Sequence, residues 1–403
     1  MANPATARAF QYGLGIFALT ALLGLANATQ VFGALDRNTL LTHLHSGTLG
    51  WITMGVFGVA LAVFGRNGAT GPNVLLTALA TAAYVLAFWS GNFYARALFG
   101  VVMLATIFGW WAWVVYRAWS RGYSRLTTPE LSIVLGLTTL VIGSILGVIV
   151  QILYATNNLN EQNGVLIGAH ASAQVGGYLV LVAAGIAEWL LDPNARRTRA
   201  GEIQSWALFL AGLTLSVGFL ANVQPLLLVS NVLQIAGVII AAVRLGRRAL
   251  GVPWTAATAA RHAAVTIGYL VLGVVLVILL VQQFIAANGD NSKVSVGLLH
   301  SVDHSMFVGV MTNVLFGAIL AATAGRPRIW PWADHVIFWG LNLGVVSFLT
   351  VLLTVGSGES AAPFTHPVAF TAPIMGLSAL LGIVTFSMRL ASTPAMSTAP
   401  ARA

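Results

Sequence analysis

Twelve apolar stretches dominate this sequence, each with about the 20 residues or more that a helix needs to cross roughly 30 Å of hydrocarbon. Only 7% of the residues are charged, whereas a soluble domain carries about 25%, so the natural solvent of the chain is lipid. The pattern predicts an all-α polytopic membrane bundle of 12 transmembrane helices, forming a single membrane domain over 1–403 with a small, polar, disordered tail at 392–403. The predicted spans are 11–33, 39–64, 73–91, 95–118, 129–153, 164–190, 203–220, 225–243, 262–286, 295–323, 335–356 and 369–389.

The net charge of +9 follows these spans. If the N-terminus is inside, only Arg37, Arg96 and Lys293 fall on outer segments, and the rest of the 19 lysines and arginines fall on inner ones. This asymmetry is the positive-inside signal of membrane proteins. We therefore expect a multi-pass protein of the inner (cytoplasmic) membrane with both termini in the cytoplasm. No basic face is left over for nucleic acid.

The complete absence of cysteine limits the chemistry that the chain can perform. It excludes disulfides, iron–sulfur clusters, thiolate-held metals and heme attached covalently through a pair of cysteines. Any metal must therefore be held by histidine, oxygen or methionine.

An internal repeat divides the chain into three units of four spans. The segments that begin at His45 and His304 share serine at +1, glycine at +5, threonine at +8, phenylalanine at +12 and glycine at +13. The segment at His170, in the sixth span, matches more loosely. Because such periodicity indicates repeated supersecondary units, we expect three pseudo-symmetric four-helix units at about 8–125, 126–250 and 251–391.

Five of the eight histidines fall at one predicted depth, in the outer third of the membrane. Histidine inside a bilayer is costly and usually faces an interior partner or a cavity. Two neutral imidazoles on opposing helices suit the axial ligation of heme iron. The candidate cofactor ligands are His43, His45, His170 and His304, and the candidate metal ligands are His43, His45, His170, His300 and His304.

Glycines follow the first of these histidines along the second span, at Gly47, Gly50, Gly55 and Gly58. One interpretation is close packing between helices, in which small residues let two backbones approach. The other is room for a flat macrocycle beside the histidines. The sequence leaves both interpretations open.

Residues 43–51, His-Leu-His-Ser-Gly-Thr-Leu-Gly-Trp, resemble the His-x-His-Ser-Gly-Ala-Leu-Gly-Trp segment of the catalytic subunit of C-type (cbb-type) heme–copper oxidases. The twelve spans, the threefold arrangement and the histidine layer are similar to that superfamily over nearly the whole chain, and also to NnrS-like heme proteins. The resemblance implies one or two hemes b, a redox donor such as cytochrome c or a quinol, and oxidoreductase activity if the protein is an enzyme.

The resemblance also implies how the histidines pair. In the oxidases this segment lies on the tenth helix, whereas here it lies on the second, so the roles rotate by one unit if the threefold symmetry holds. His45 then shares a heme with His170, and His43 faces a second site bordered by His300 and His304. Without rotation, His45 and His304 hold one heme between them. Propionates would meet an outer cation, namely Arg37, Arg96 or Lys293.

One departure from the oxidase pattern bears on catalysis. The adjacent histidines that complete the copper site on the seventh oxidase helix have no counterpart in the seventh span, unless His366 in an outer loop folds back. Copper therefore stays a doubtful second cofactor. The leading hypothesis is a heme-b membrane protein that transfers electrons and reduces O2 or NO at a high-spin heme. Two alternatives stay open: a non-catalytic NnrS-like heme and copper protein of nitric-oxide or metal stress, and a histidine-based proton or metal transporter.

Overall fold

The computed structural model describes residues 4–65, 71–158, 162–287, 293–358 and 361–392. These residues form twelve long helices, and a short 3-10 turn at Tyr123–Arg125 joins two of them. The predicted all-α bundle is therefore confirmed. Except for Ser392, the predicted tail lies outside the described residues. The helices are α1 (Pro4–Thr29), α2 (Arg37–Phe64), α3 (Val74–Trp89), α4 (Phe93–Arg121), α5 (Thr128–Ala155), α6 (Gln162–Ala171 continued by Ser172–Leu179 and Val180–Leu191), α7 (Arg199–Ala221), α8 (Gln224–Leu250), α9 (Ala259–Ala286), α10 (Val296–Ala322), α11 (Ala333–Thr354) and α12 (Val368–Ala391).

Eleven of these helices are long and apolar enough to cross a membrane, and α3 is the exception with 16 residues. The side chain of Asn73 caps the start of α3 by accepting hydrogen bonds from the N–H groups of Leu75 and Leu76. The helix ends at Trp89, and Gly91 just after it has a φ of +70°, a conformation that favours glycine. The third predicted span, 73–91, therefore forms a shorter helix than a full crossing requires.

Three helices widen into π-helical segments at Ser46–Thr53 in α2, Ser172–Leu179 in α6 and Ser305–Thr312 in α10. Each segment begins one or two residues after His45, His170 or His304. A π turn inserts extra backbone into a helix and is frequent at functional sites. The sequence did not predict these segments.

Helices α2 and α10 lie at the centre of the bundle, and 78% of the residues in the most apolar part of each are buried. The two meet through Trp51, whose indole Nε1 donates to the Thr312 hydroxyl at 3.1 Å. The Trp51 ring also stacks on Phe17 of α1, with ring centroids 4.8 Å apart. The helix that carries His43 and His45 is therefore held from two sides.

The glycines of α2 serve this close packing. A Cβ on Gly50 would lie 2.2 Å from Cγ2 of Ile16, and one on Gly55 would lie 2.7 Å from Cδ1 of Leu315. On Gly58 it would lie 3.2 Å from the Phe10 ring. Helices α1 and α10 therefore fill the side of α2 that carries Gly50, Gly55 and Gly58, which favours the interpretation of close helix packing for these three glycines.

The two ends of the bundle differ in their polar groups. We call the end with the loops around Asp36 and His366 the histidine end, and the opposite end the arginine-rich end. At the arginine-rich end, Arg244 of α8 donates to both carboxylate oxygens of the buried Glu188 at 2.6 and 3.1 Å. Glu188 therefore joins α6 to α8 through an ion pair, which is a structural role.

Candidate cofactor sites

Two cavities flank α2 at the histidine end. Cavity 1, of about 370 Å³, is enclosed by α2, α3, α4, α5 and α6, with two residues of α10. Cavity 2, of about 640 Å³, is enclosed by α1, α2, α10, α11 and α12. Both volumes fall within the roughly 300 to 1,000 Å³ that is usual for small-molecule and cofactor sites.

His45 and His170 are the two histidines of cavity 1. The His45 ring stacks on Phe88, with centroids 3.8 Å apart, and its Nδ1 lies 2.8 Å from the carbonyl oxygen of Leu41 in the same helix. The Nδ1 of His170 lies 2.7 Å from the carbonyl oxygen of Gly143, in the neighbouring α5. The two imidazoles therefore come from different walls of one cavity.

Four histidines line cavity 2, and two of them repeat this arrangement. The Nδ1 of His43 lies 2.9 Å from the carbonyl oxygen of Thr20, in the neighbouring α1. The Nδ1 of His304 lies 2.8 Å from the carbonyl oxygen of His300, one turn earlier in α10. The Phe348 ring packs edge-on against His304, with centroids 4.9 Å apart.

These bonds settle the protonation of the four rings. A carbonyl oxygen only accepts hydrogen bonds, so the Nδ1 of His43, His45, His170 and His304 carries the proton when the ring is neutral. The lone pair of Nε2 is then free to bind a metal. Metal-binding histidines usually donate their second ring N–H in this way, which fixes the ring and raises its basicity.

Glycines of the neighbouring helices make room for two of these rings. A Cβ on Gly147 of α5 would lie 2.8 Å from Cε1 of His170, and one on Gly24 of α1 would lie 2.9 Å from Cε1 of His43. In both helices the glycine stands four residues after the residue whose carbonyl accepts the bond, Gly143 and Thr20 respectively. Sequence reasoning missed these positions, although Gly143 and Gly147 form a visible small-xxx-small pair in the fifth span.

The remaining predicted residues differ in which cavity they line. His300 and His366 line cavity 2, so the loop histidine does fold back toward the site. Arg37 lines both cavities and Arg96 lines cavity 1, whereas Lys293 lines neither. The structure brings His45 together with His170, and His43 together with His300 and His304. It places His45 and His304 in different cavities.

Arg96 is a buried cation at the mouth of cavity 1. It is only 2% exposed, and its guanidinium donates to the Asn38 side-chain oxygen at 2.7 Å and to the Phe88 carbonyl at 2.8 Å. The guanidinium also lies over the Phe88 ring, 4.7 Å from its centroid. Because Phe88 stacks on His45, Arg96 belongs to the same packed group as the histidine.

Asp36 begins helix α2 just outside the first cavity. Its exposed carboxylate accepts hydrogen bonds from the Thr39 hydroxyl at 2.6 Å and from the backbone N–H groups of Asn38 and Thr39. The bond from the Thr39 hydroxyl, followed by those from the backbone, lowers the pKa of Asp36 below its ordinary value of 3.8. The carboxylate also favours the positive N-terminal end of the helix dipole.

In the part of the chain that the structure describes, no three His, Cys, Asp or Glu side chains lie close enough together to hold one metal ion. His262 and His335, at the arginine-rich end, line neither cavity. The Nδ1 of His262 lies 3.1 Å from Oδ1 of Asn313, and His335 lies 3.3 Å from Arg261. These two histidines have structural partners.

Comparison with known proteins identifies the fold alone. Neither the family models nor the characterised proteins include a match to this sequence. Among solved structures, the chain is similar to a heme–copper terminal oxidase determined by cryo-EM as a dimer. The TM-score is 0.61 at 12% identity, and the match covers 96% of this chain and 82% of that one. The expected likeness to the oxidase superfamily is thus confirmed at the level of the fold.

The residues present fit heme better than a bare metal ion. Each cavity offers imidazole nitrogens with free lone pairs from two different helices, which is the donor set for the two axial positions of heme iron. Most of the lining is apolar, as a macrocycle requires, for example Leu104, Ile107 and Val148 in cavity 1. Arg37 supplies a cation to both cavities for carboxylate groups.

Proposed function

We propose that this protein binds heme b in both cavities and transfers electrons between them. His45 and His170 would hold the first heme, and His43 and His304 the second. The observation that carries the proposal is that all four imidazoles donate Nδ1–H to a backbone carbonyl, which leaves Nε2 free. Heme b supplies one-electron chemistry when bound, and the absence of cysteine excludes its covalent attachment.

The hydrogen bonds of the histidines support a rotational relationship between the two sites. Each cavity has one histidine bonded within its own helix, His45 or His304, and one bonded to the preceding helix, His170 or His43. A one-third rotation that takes α10 to α2 and α2 to α6 would convert one pair into the other. We propose on this basis that the three four-helix units, 8–125, 126–250 and 251–391, are true repeats.

The same rotation supports two sites rather than three. A third site would lie between α6 and α10, and its own-helix histidine would directly precede the π segment of α6. Ala171 stands at that position, as His45 and His304 do in the other two helices. The described part of α6 offers His170 alone, which cavity 1 already uses.

The shared wall of the cavities supports electron transfer between the sites. His43 and His45 are separated by one residue in α2, and Arg37, Leu41, Leu44 and Thr48 of that helix line both cavities. Asp303 and Phe307 of α10 do the same. Two redox groups in these cavities would therefore be neighbours.

We do not extend the proposal to the reduction of O2 or NO, or to copper. Both histidines of each pair would be used to hold a heme, and among the described residues no three His, Cys, Asp or Glu side chains are placed to hold a further metal ion. For the orientation, we propose that the histidine end faces outward and both termini face the cytoplasm, on the strength of the positive-inside distribution.

The test is a reduced-minus-oxidised optical spectrum of the purified protein, with pyridine hemochrome quantification of heme. We expect a b-type spectrum in the wild type and loss of about half of the heme in the double variant His45→Ala and His170→Ala. His335→Gln is the matched control, because His335 is a half-buried histidine that lines neither cavity. A well-folded wild type without a Soret band would disprove the proposal.

A further inference from the structure

Cavity 2 differs from cavity 1 in size and in the chemistry of one end. It is the larger by about 270 Å³, from 640 and 370 Å³. Its end toward the loops is polar, because Asn27, Gln30, Ser357 and His366 line it there. If cavity 1 holds a macrocycle, cavity 2 has room for a macrocycle of the same size and for a polar group of a ligand beside it.

His366 stands at this polar end with the opposite tautomer from the four candidate iron ligands. The backbone N–H of Val368 donates to its Nδ1 at 3.3 Å. A nitrogen that accepts a hydrogen bond carries no proton, so in the neutral ring the proton is on Nε2. His366 therefore presents an N–H donor, whereas His43 and His304 in the same cavity present lone pairs.

The loop that carries His366 holds its ring in place. Gly358, at φ +69°, packs against the imidazole so closely that a Cβ there would lie 2.4 Å from Cγ of His366. The Phe364 N–H donates to the Thr29 carbonyl at 3.2 Å, which attaches the loop to the end of α1. A ring that packs on Gly358 and stands on an anchored loop has little entropy to lose when it donates to a ligand.

We propose that His366 is the hydrogen-bond donor of a ligand subsite at the polar end of cavity 2, distinct from the histidines that bind iron. The ligand atom is an oxygen acceptor, either a ring carbonyl of a membrane quinone or a propionate carboxylate of a heme in the same cavity. A quinone suits the apolar walls that α1 and α12 supply, for example Phe17, Leu25 and Met375.

Two substitutions distinguish the roles of the two ring nitrogens of His366. His366→Asn keeps an acceptor near the position of Nδ1 for the Val368 N–H but removes the donor, whereas His366→Gln places an amide N–H near the position of Nε2. The probe is decylubiquinone, titrated into the purified protein and followed by tryptophan fluorescence, since Trp51 lines the cavity. Redox potentiometry of the hemes and their stoichiometry are measured on the same samples.

For a quinone ligand, we expect His366→Asn to weaken decylubiquinone binding about tenfold, the value of one good hydrogen bond, and His366→Gln to stay within about threefold. For a propionate ligand, quinone binding stays unchanged, and the midpoint potential of one heme shifts in His366→Asn but not in His366→Gln. Both results support a donor at Nε2, and they identify its partner.

The proposal is overturned if neither quantity changes in His366→Asn, or if both variants lose heme, because His366 would then be inert or an iron ligand. The inference rests on the proposed heme function only for the propionate partner. Quinone binding that is lost in His366→Asn from a protein without heme would leave the subsite standing and reject the heme proposal. Heme at full stoichiometry with no effect of either variant would do the reverse.

Discussion

The two cavities use the same pairs of hydrogen bonds to hold their histidines but enclose different spaces. In each, one imidazole donates to a carbonyl of its own helix and the other to a carbonyl of the preceding helix. Cavity 1 is smaller and places Arg96, Gln174 and Tyr178 around its histidine pair. Cavity 2 is larger and ends in a polar loop with His366.

This contrast separates the groups that would hold a cofactor, which are the same in both cavities, from the other lining residues, which differ between them. The tautomer of each histidine is fixed by a backbone carbonyl, which is present whatever side chain stands at that position. The remaining walls are free to vary between cavities. We expect equivalent substitutions at the histidines, or at the groups that orient them, to have similar effects on heme binding in the two cavities. Substitutions of other lining residues should affect one cavity only.

The largest effect should come from removing one ligand from each cavity in turn. His170→Ala should abolish the heme of cavity 1, and His304→Ala that of cavity 2, so that each variant retains about one of two hemes. The reduced-minus-oxidised spectra of the two variants should sum to that of the wild type, and each variant should keep one of the two wild-type midpoint potentials. Loss of both hemes from either single variant would contradict two separable sites.

A smaller matched effect is expected at the glycines that accommodate His170 and His43. Gly147→Ala and Gly24→Ala each place a methyl group within 3 Å of an imidazole carbon, which tilts the ring away from its carbonyl partner. Because disturbing the groups that orient a ligand costs about 10- to 100-fold in metal affinity, each variant should bind added hemin more weakly in its own cavity.

The matched controls for these glycines are Gly109→Ala in α4 and Gly15→Ala in α1, where nothing lies within 4 Å of a new Cβ. Hemin titration of the apoprotein measures the affinity. Equal affinities in Gly147→Ala and Gly109→Ala would remove the argument that the glycine positions the ring.

The same comparison shows what the sequence could predict. The spans follow from apolar runs whose length matches the membrane, and the histidine layer follows from the spans. The pairing of His45 with His170 depended on the threefold repeat, since the repeat alone indicated that roles rotate between units. The glycines were ambiguous, because a bare helix side fits a neighbouring helix or a ligand equally well, and Ile16 and Leu315 fill it here.

Other features of the sites could not be predicted, for physical reasons. The π segments of α2 and α10 coincide with the repeated serine, glycine and threonine positions, but that pattern does not by itself distinguish a π turn from an α-helical one. The carbonyls of Thr20 and Gly143 are present in every possible fold of the chain, and only the approach of α1 to α2 and of α5 to α6 makes them partners. The tautomer of His366 depends in the same way on the bond from Val368.

A third matched pair concerns the aromatic rings that pack on the ligands. Phe88 stacks face-to-face on His45 in cavity 1, whereas Phe348 meets His304 edge-on in cavity 2. Aromatic contacts of this kind contribute about 0.5–1.5 kcal/mol beyond burial, so leucine at either position should weaken heme binding at most about tenfold.

Electron paramagnetic resonance distinguishes the two phenylalanine variants, because the stacked ring fixes the plane of His45 more firmly than the edge contact fixes His304. We expect Phe88→Leu to broaden the signal of its heme and Phe348→Leu to change its own signal less. The opposite order would show that stacking does not set the ring plane in cavity 1.

The smallest effect is expected at Asp36, which serves α2 and therefore both cavities. Its pKa is lowered in the folded protein, chiefly by the Thr39 hydroxyl, so the carboxylate stabilises the fold above its ordinary pKa of 3.8 and loses that contribution as pH falls through the lower folded value. Asp36→Ala should lower the thermal midpoint at neutral pH, and the difference from wild type should vanish in strong acid. Asp36→Asn still caps the helix but does not titrate. The difference in thermal midpoint between Asp36→Asn and Asp36→Ala should therefore stay the same from neutral pH to strong acid. If Asp36→Ala instead depleted only one heme, the start of α2 would belong to one cavity, and the symmetry of the comparison would end there.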